Sequence, residues 1–267
     1  MKLNVSLGQM DVALGQSQRN LTKVRTMAAE ARRRGSHVVV FPELWSTGYD
    51  LARSSEHATP MDRGSFSQMA DLAGENSLYV MGSLLEDSGH GYRNTAVVAS
   101  PEGKLVGSYS KSHLFRPMEE DVFLVPGREA PVFDLPWGIS ALAICYDLRF
   151  PELFRRYALL GAKVVFLMAE WPRPRLLHWQ TLLRARAIEN QFFVVACNRV
   201  GESGGWSFFG HSAIYDPFGE LVVEAGEDEV LLTAVLDLER VEDARRSMTV
   251  FQDRNEAVYS VGRADSP

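Results

Sequence analysis

Five consecutive residues, His37-Val38-Val39-Val40-Phe41, constrain the fold of this chain more than any other feature. A short apolar run, stopped here by Pro42, marks a strand covered on both faces, because a strand with one wet face alternates apolar with polar residues. Such a strand needs one layer above it and another below. Residues 139–144, 164–168 and 192–198 carry the same signature. Between these runs lie helical patterns at 20–34 (closed by Gly35), 65–74, 151–160 (closed by Gly161) and 176–190. Buried strands interleaved with amphipathic helices predict an α/β protein.

The remaining signals make the sheet mixed. Residues 2–9 and 77–84 read as strands, and 94–99 pairs with 104–109 across the turn Ser100-Pro101-Glu102-Gly103. Later strands are expected at 211–215, 221–223 and 230–236, before a terminal helix at 238–246. An irregular stretch of unusual length, 110–126, carries Lys, His, Arg and two Glu, and loops of that kind are often functional. No linker, repeat or shift of composition divides the chain. The expectation is one domain over 1–267 with a polar tail from about 255.

Composition removes several classes of partner. A formal charge of -6 argues against nucleic acid or an anionic membrane. Two cysteines, Cys145 and Cys197, cannot build a disulfide framework. The first residues alternate like a strand and lack the apolar core of a signal peptide, and no apolar run approaches the ~18 residues of a membrane span. These features predict a soluble, cytoplasmic protein. The six histidines show no zinc-ligand spacing, so neither a metal nor another cofactor is expected.

Chemistry concentrates at strand ends. Cys145 stands where the apolar strand 139–144 stops and a helix-bearing segment begins, a place where a rigid strand can expose a nucleophile beside free backbone N–H groups. A buried structural cysteine is the plain alternative, and Cys197, inside a strand, is read that way. Glu43 follows the strand 37–41 and Lys111 the strand 104–109. Each alone could be a solvated charge, but three ionisable residues at three strand ends are expected to gather on one rim of the sheet. Gly201-Glu202-Ser203-Gly204-Gly205 fits the G-x-S-x-G pattern of serine hydrolases, yet residues 206–215 read as a strand where that motif needs a helix. A Cys–His pair would require His178 or His211 beside Cys145. His113 could line a site or pack in its loop.

Four segments, FPELWSTGYD (41–50), YSKSHLF (109–115), EDVFLVPG (120–127) and AICYDLRFPEL (143–153), resemble the signature blocks of the nitrilase, or carbon–nitrogen hydrolase, superfamily. AEWP (169–172), RARAIENQ (184–191), NRVG (198–201) and HSAIYDPFGE (211–220) agree in order along the chain. The resemblance implies a four-layer α-β-β-α sandwich, paired into a homodimer or higher homo-oligomer. It implies a catalytic triad of Glu43, Lys111 and Cys145, with a second glutamate at Glu120, six residues before the proline of Pro126-Gly127. In that scheme Cys145 attacks an amide and Glu43 moves protons. Lys111 and the backbone N–H of Tyr146 bind the oxyanion, Glu120 holds Lys111, and a thioester is hydrolysed to acid and ammonia.

Within the superfamily the run Cys145–Glu152, WPRPR (171–175) and HLFR (113–116) are similar to the branch containing bacterial ω-amidases, which cleave 2-oxoglutaramate and 2-oxosuccinamate. Such a substrate needs a cation for its distal carboxylate, and arginine supplies the bidentate contact. Arg116 is the preferred candidate, with Arg149, Arg173 and Arg175 also in range; a structural salt bridge is the alternative for Arg149. Tyr49, Phe115 and Trp171 are candidate apolar walls or core residues. An N-carbamoyl-amine hydrolase with the same triad, or a catalytically silent binding or scaffolding relative, are the competing readings.

Overall fold

A computed structural model describes residues 1–259. Its strands form two six-stranded sheets. The first has the order β14-β1-β2-β3-β4-β5, from β1 (Lys2–Gln9), β2 (Val38–Val40), β3 (Tyr79–Asp87), β4 (Tyr92–Ser100), β5 (Lys104–Ser110) and β14 (Val230–Asp237). The second runs β13-β12-β9-β8-β7-β6, from β6 (Val132–Leu135), β7 (Gly138–Ile144), β8 (Val164–Ala169), β9 (Phe193–Asn198), β12 (Ala213–Tyr215) and β13 (Leu221–Glu224). Both are mixed: β1, β2 and β3 run parallel, as do β7, β8 and β9, while the flanking pairs are antiparallel.

The period of two along β2 explains the stacking. Val38 and Val40 join Leu3, Val5, Leu7, Ala96 and Val98 in a core shared with the second sheet, whereas Val39 and Phe41 face the helices outside. Those helices are α1 (Ser17–Arg33) and α3 (Ser65–Asn76), with the single turn α2 (Ser54–His57) between them in the chain. In α1 the buried Leu21, Val24, Ala28 and Ala31 recur at helical spacing and lie on the first sheet. After the short α4 (Glu120–Phe123), helices α5 (Pro151–Leu159) and α6 (Leu176–Asn190) cover the far side of the second sheet with Phe154, Tyr157, Trp179 and Leu183. The layers are therefore α1/α3, sheet, sheet, α5/α6. This is the four-layer sandwich, and the double-sided burial of 38–41 is its direct cause, with His37 left exposed at the strand's entrance.

Three features differ from the sequence expectation. β6 is a four-residue edge strand with a weak pattern. The segment read as one strand over 206–215 is two, β11 (Trp206–Phe209) and β12, because Gly210 and His211 both take positive φ, 71° and 52°, and break the ladder. β11 pairs with β10 (Val200–Ser203) in a separate hairpin, so the G-x-S-x-G segment is a turn between strands. The last helix, α7 (Glu239–Ser247), falls one residue from its expected place. The polar tail begins with a 3₁₀ turn at Glu256–Val258, and the rest of it lies outside the described residues.

Candidate active site

Cys145, Glu43 and Lys111 each follow a strand, and the structure brings them together. They come from two sheets: Glu43 follows β2 and Lys111 follows β5 of the first, and Cys145 follows β7 of the second. The gathering place is thus where the ends of two facing sheets meet, a correction to the single rim expected. All three residues are buried, with Cys145 3% exposed and the Glu43 and Lys111 side chains fully covered.

The Lys111 ammonium donates to Glu43 Oε1 and to Glu120 Oε1, both at 2.7 Å. An ammonium has three donors. The third is left for the cleft or for the Tyr49 oxygen, 3.2 Å away. Burial works against the charge on Lys111, but the carboxylates of Glu120 and Glu43 outweigh it, and its pKa is raised. Burial also raises Glu120, against the opposing pull of Lys111. Glu120 is further tied by the backbone N–H of Phe115, which donates to its second oxygen.

Glu43 is held as densely. Its Oε1 also accepts from the Tyr49 hydroxyl at 2.8 Å and the Asn94 amide at 2.7 Å, and its Oε2 accepts the backbone N–H of Glu170 at 2.8 Å. The thiol of Cys145 lies beside Glu43, and its pKa stands well above the usual thiol value. Burial is the main cause, followed by the Glu43 charge. The resting nucleophile is therefore a protonated thiol with a carboxylate beside it.

Local backbone geometry serves this arrangement. Cys145 has φ 43° and Leu44, next to Glu43, φ 42°. Non-glycine residues in this region typically store on the order of 1–3 kcal/mol and cluster at functional sites. Cys145 opens a 3₁₀ helix, Cys145–Arg149, whose first N–H groups, Tyr146 among them, have no partner within the helix by geometry. Asp147 fastens this turn by accepting from the Ile144 backbone at 2.9 Å and the Tyr109 hydroxyl at 2.8 Å, and by pairing with His113 at 2.7 Å. Beyond Lys111, Gly127 approaches so closely that a Cβ there would sit 2.1 Å from the Ser110 carbonyl oxygen. Its N–H donates to the Lys111 carbonyl at 2.9 Å, so the Pro-Gly pair pins the lysine's backbone.

A narrow cleft with a cavity of only ≈ 10 Å³ reaches Cys145, lined by Phe115, Tyr146, Arg149, Trp171, Pro172 and Arg175. The Arg149 guanidinium lies 4.8 Å from the Trp171 ring and meets His178 Nδ1 at 3.2 Å. Arg175 lies 5.7 Å from the Phe115 ring, and its Nη1 is buried with no hydrogen-bond partner. Among the described residues neither guanidinium has a carboxylate within salt-bridge distance.

Not every candidate residue faces the cleft. Arg116, the preferred carboxylate clamp, is 85% exposed and turns toward Asp121, away from the cleft, because its residue begins a 3₁₀ turn on the outer side of the loop. Arg173 pairs with Glu227. Tyr49 is no apolar wall, since its hydroxyl sits between Glu43 and Glu120. His113 packs flat on Phe150 at 3.6 Å and bonds Asp147. His211 bonds Glu224 and His178 meets Arg149, while the thiol's partner is Glu43. Cys197 lies inside β9 with its pKa raised by burial, a core thiol. Sequence reasoning missed Asn94, which looks like any strand residue, and Glu170 and Arg199, which lay inside quoted blocks but carried no recognisable role.

A buried thiol beside a carboxylate and an ammonium, at the N-terminal end of a 3₁₀ helix, is equipment for thiol-dependent hydrolysis of an amide. The chain belongs to the carbon-nitrogen hydrolase family, whose profile matches residues 4–246. It is 40% identical over 260 residues to the 2-oxoglutaramate amidase of Bacillus subtilis (strain 168), covering 97% of this chain and all of that protein. A CN-hydrolase superfamily protein from Xanthomonas campestris, solved with an arsenic adduct in its active site, superposes with a TM-score of 0.90 at 29% identity, over 98% of this chain and 100% of that one. An amidase from Nesterenkonia sp. AN1, carrying the acetamide moiety of fluoroacetamide on its active site cysteine, gives 0.86 at 26% identity, over 96% and 95% of the two chains. Among the described residues no helix is long and apolar enough to cross a membrane.

Proposed function

We propose that this enzyme is an ω-amidase that hydrolyses 2-oxoglutaramate or 2-oxosuccinamate to the dicarboxylic acid and ammonia. The observation that carries the substrate is the pair Arg149 and Arg175, two guanidiniums without anionic partners on the walls of the cleft to Cys145. Both guanidiniums are half-buried, Arg175 Nη1 is buried without a partner, and a substrate carboxylate is the anion that would satisfy them. The likeness to the Bacillus subtilis amidase supports the same choice.

In the proposed reaction Glu43 takes the thiol proton as the Cys145 sulfur attacks the amide carbon. Charge gathers on the amide oxygen, where the third N–H of Lys111, turned from the Tyr49 oxygen, and the backbone N–H of Tyr146 stabilise it. Glu43 then protonates the nitrogen, ammonia leaves, and a thioester remains on Cys145. A water molecule, deprotonated by Glu43, attacks the thioester, and the acid departs with the thiol restored. Glu120 serves to keep Lys111 charged and aimed. Phe115 and Trp171 shape the cleft so that the carbon chain spans from the sulfur to the guanidiniums. The chain acts as one catalytic domain, and exposed Leu159 at the end of α5 and Leu160 just after it, with Leu177 and Ile188 on α6, support pairing with a second copy through that layer.

Ammonia release measured across 2-oxoglutaramate, 2-oxosuccinamate, a neutral amide of equal length, an N-carbamoyl amine and a nitrile tests the assignment. The two oxo-acid amides are expected to turn over fastest. Preference for the carbamoyl amine would make the protein an N-carbamoyl-amine hydrolase, and no turnover of any would leave a silent relative.

A further inference from the structure

The ion pair Glu170–Arg199 lies directly behind the proposed base, and the reaction scheme does not use it. Glu170 follows β8 and Arg199 follows β9, and both side chains are fully buried. Arg199 Nη1 donates to Glu170 Oε2 at 3.1 Å. Its Nη2 reaches Asp11 Oδ1 at 2.9 Å and the Val12 carbonyl at 2.8 Å, and the guanidinium lies 4.4 Å from the Phe208 ring. The outer end of this chain of charges is half-open: Asp11 is 44% exposed, its backbone N–H donates to Glu229, and Lys23 bonds both Glu229 and the Asp11 carbonyl. At the inner end the Glu170 backbone N–H donates to Glu43 Oε2, while Glu170 Oε1 is buried without any partner.

A pair that served stability alone would have both carboxylate oxygens satisfied, because an orphaned buried oxygen costs free energy. Here one oxygen is held and the other is left bare in the low-dielectric region that also contains Glu43. We infer that Glu170, fixed by Arg199, is a positioning residue for Glu43: its backbone N–H orients the base, and its carboxylate acts on the charge of the base through space. This rests on Glu43 being the proton acceptor of the proposed reaction. The other groups facing Glu43 are Lys111, Tyr49, Asn94, Cys145 and Glu120, and those facing Glu170 are Arg199, Glu43, Lys111 and Tyr49. Burial, opposed by Arg199 and reinforced by Glu43, raises Glu170 to about 7, so its charge is present or absent within the working range of a neutral enzyme.

Glu170→Gln keeps the shape and the backbone N–H and removes the charge. Glu170 is charged only as pH approaches and passes about 7, so its removal should move the limb of the rate profile that rises near neutrality and leave any limb well below it in place; the movement should be to lower pH, by up to about one unit for charges interacting through a partly shielded interior. The readout is the rate of Cys145 alkylation by iodoacetamide against pH, which needs no amide substrate and so survives any failure of the substrate assignment. The same limb should move in the hydrolysis profile, with the plateau rate within a few-fold of the parent. Arg199→Lys keeps the charge but cannot bridge Glu170 and Asp11 together, and should move the limb the same way by less, which covers the case in which Glu170→Gln fails to fold. A thermal melt confirms that each variant is folded. A limb that stays in place in folded Glu170→Gln, while Glu43→Gln abolishes it, would overturn this inference alone. A limb unaffected by Glu43→Gln would overturn it together with the role of Glu43.

Discussion

Replacing Arg175 by glutamine removes one of two guanidiniums from the cleft while leaving the Cys145 cluster untouched. In the free enzyme Arg175 Nη1 has no partner to lose, so the substitution should cost little stability. In the complex it forfeits a charge-assisted hydrogen bond to the distal carboxylate, worth roughly 1.5–3 kcal/mol. At 1.4 kcal/mol per factor of ten, kcat/KM for 2-oxoglutaramate should fall by about 10- to 150-fold. Arg149→Gln should act similarly, somewhat more weakly because Arg149 already has His178 as a neighbour. The double variant should lose less than the product of the two, since both bind one carboxylate. The assay is steady-state ammonia release from the oxo-acid amide and from a neutral amide of the same length. The neutral substrate should be barely affected. Equal losses on both substrates would show that the arginines support the cleft and do not read the carboxylate, and the substrate argument would fail.

The proton shuttle and the oxyanion clamp make their own demands. Glu43→Gln and Lys111→Ala should each lower kcat by at least ~100-fold, with substrate binding still visible by calorimetry. Glu170 has a stability signature: its folded pKa of about 7 lies above its ordinary 4.5, so the folded state holds a proton that the unfolded chain has released. The resulting stability is fully present below the unfolded pKa and is lost as pH rises through about 7, on the order of 3 kcal/mol. Glu170→Gln should lack this, so denaturant melts between pH 4.5 and 7.5 should show the variant gaining on the parent as pH rises; a constant difference would refute the linkage. Prolonged EDTA treatment should leave the rate unchanged, and recovery on adding zinc to an inactivated sample would contradict the mechanism.

How much of this was legible beforehand depends on what local sequence can encode. The double-sided burial of 38–41 is a property of composition along a strand, and it was enough to demand layers on both sides. Cys145, Glu43 and Lys111 were visible because strand ends are set by local pattern, and the resemblance then tied them together. That they meet across two sheets follows only from how the sheets stack. Side-chain direction in loops was not legible: Arg116 and Arg175 look equivalent in sequence, but one begins an outward 3₁₀ turn and the other closes on Phe115. The ring of Tyr49 reads as wall or core in the sequence, whereas the place of its hydroxyl between two carboxylates is a tertiary fact. Asn94 and the pair Glu170–Arg199 act through contacts spanning tens of residues, and no pattern near them in the chain announces those contacts.

The central claim is that Cys145 carries the acyl group. Rapid quenching of the enzyme with a slowly turned-over amide, followed by intact-mass and peptide mass spectrometry, measures it directly. The account predicts an acyl adduct on the peptide containing Cys145, none on that containing Cys197, and no adduct or turnover in a folded Cys145→Ala variant. Full activity in Cys145→Ala, or an adduct located elsewhere, would contradict it.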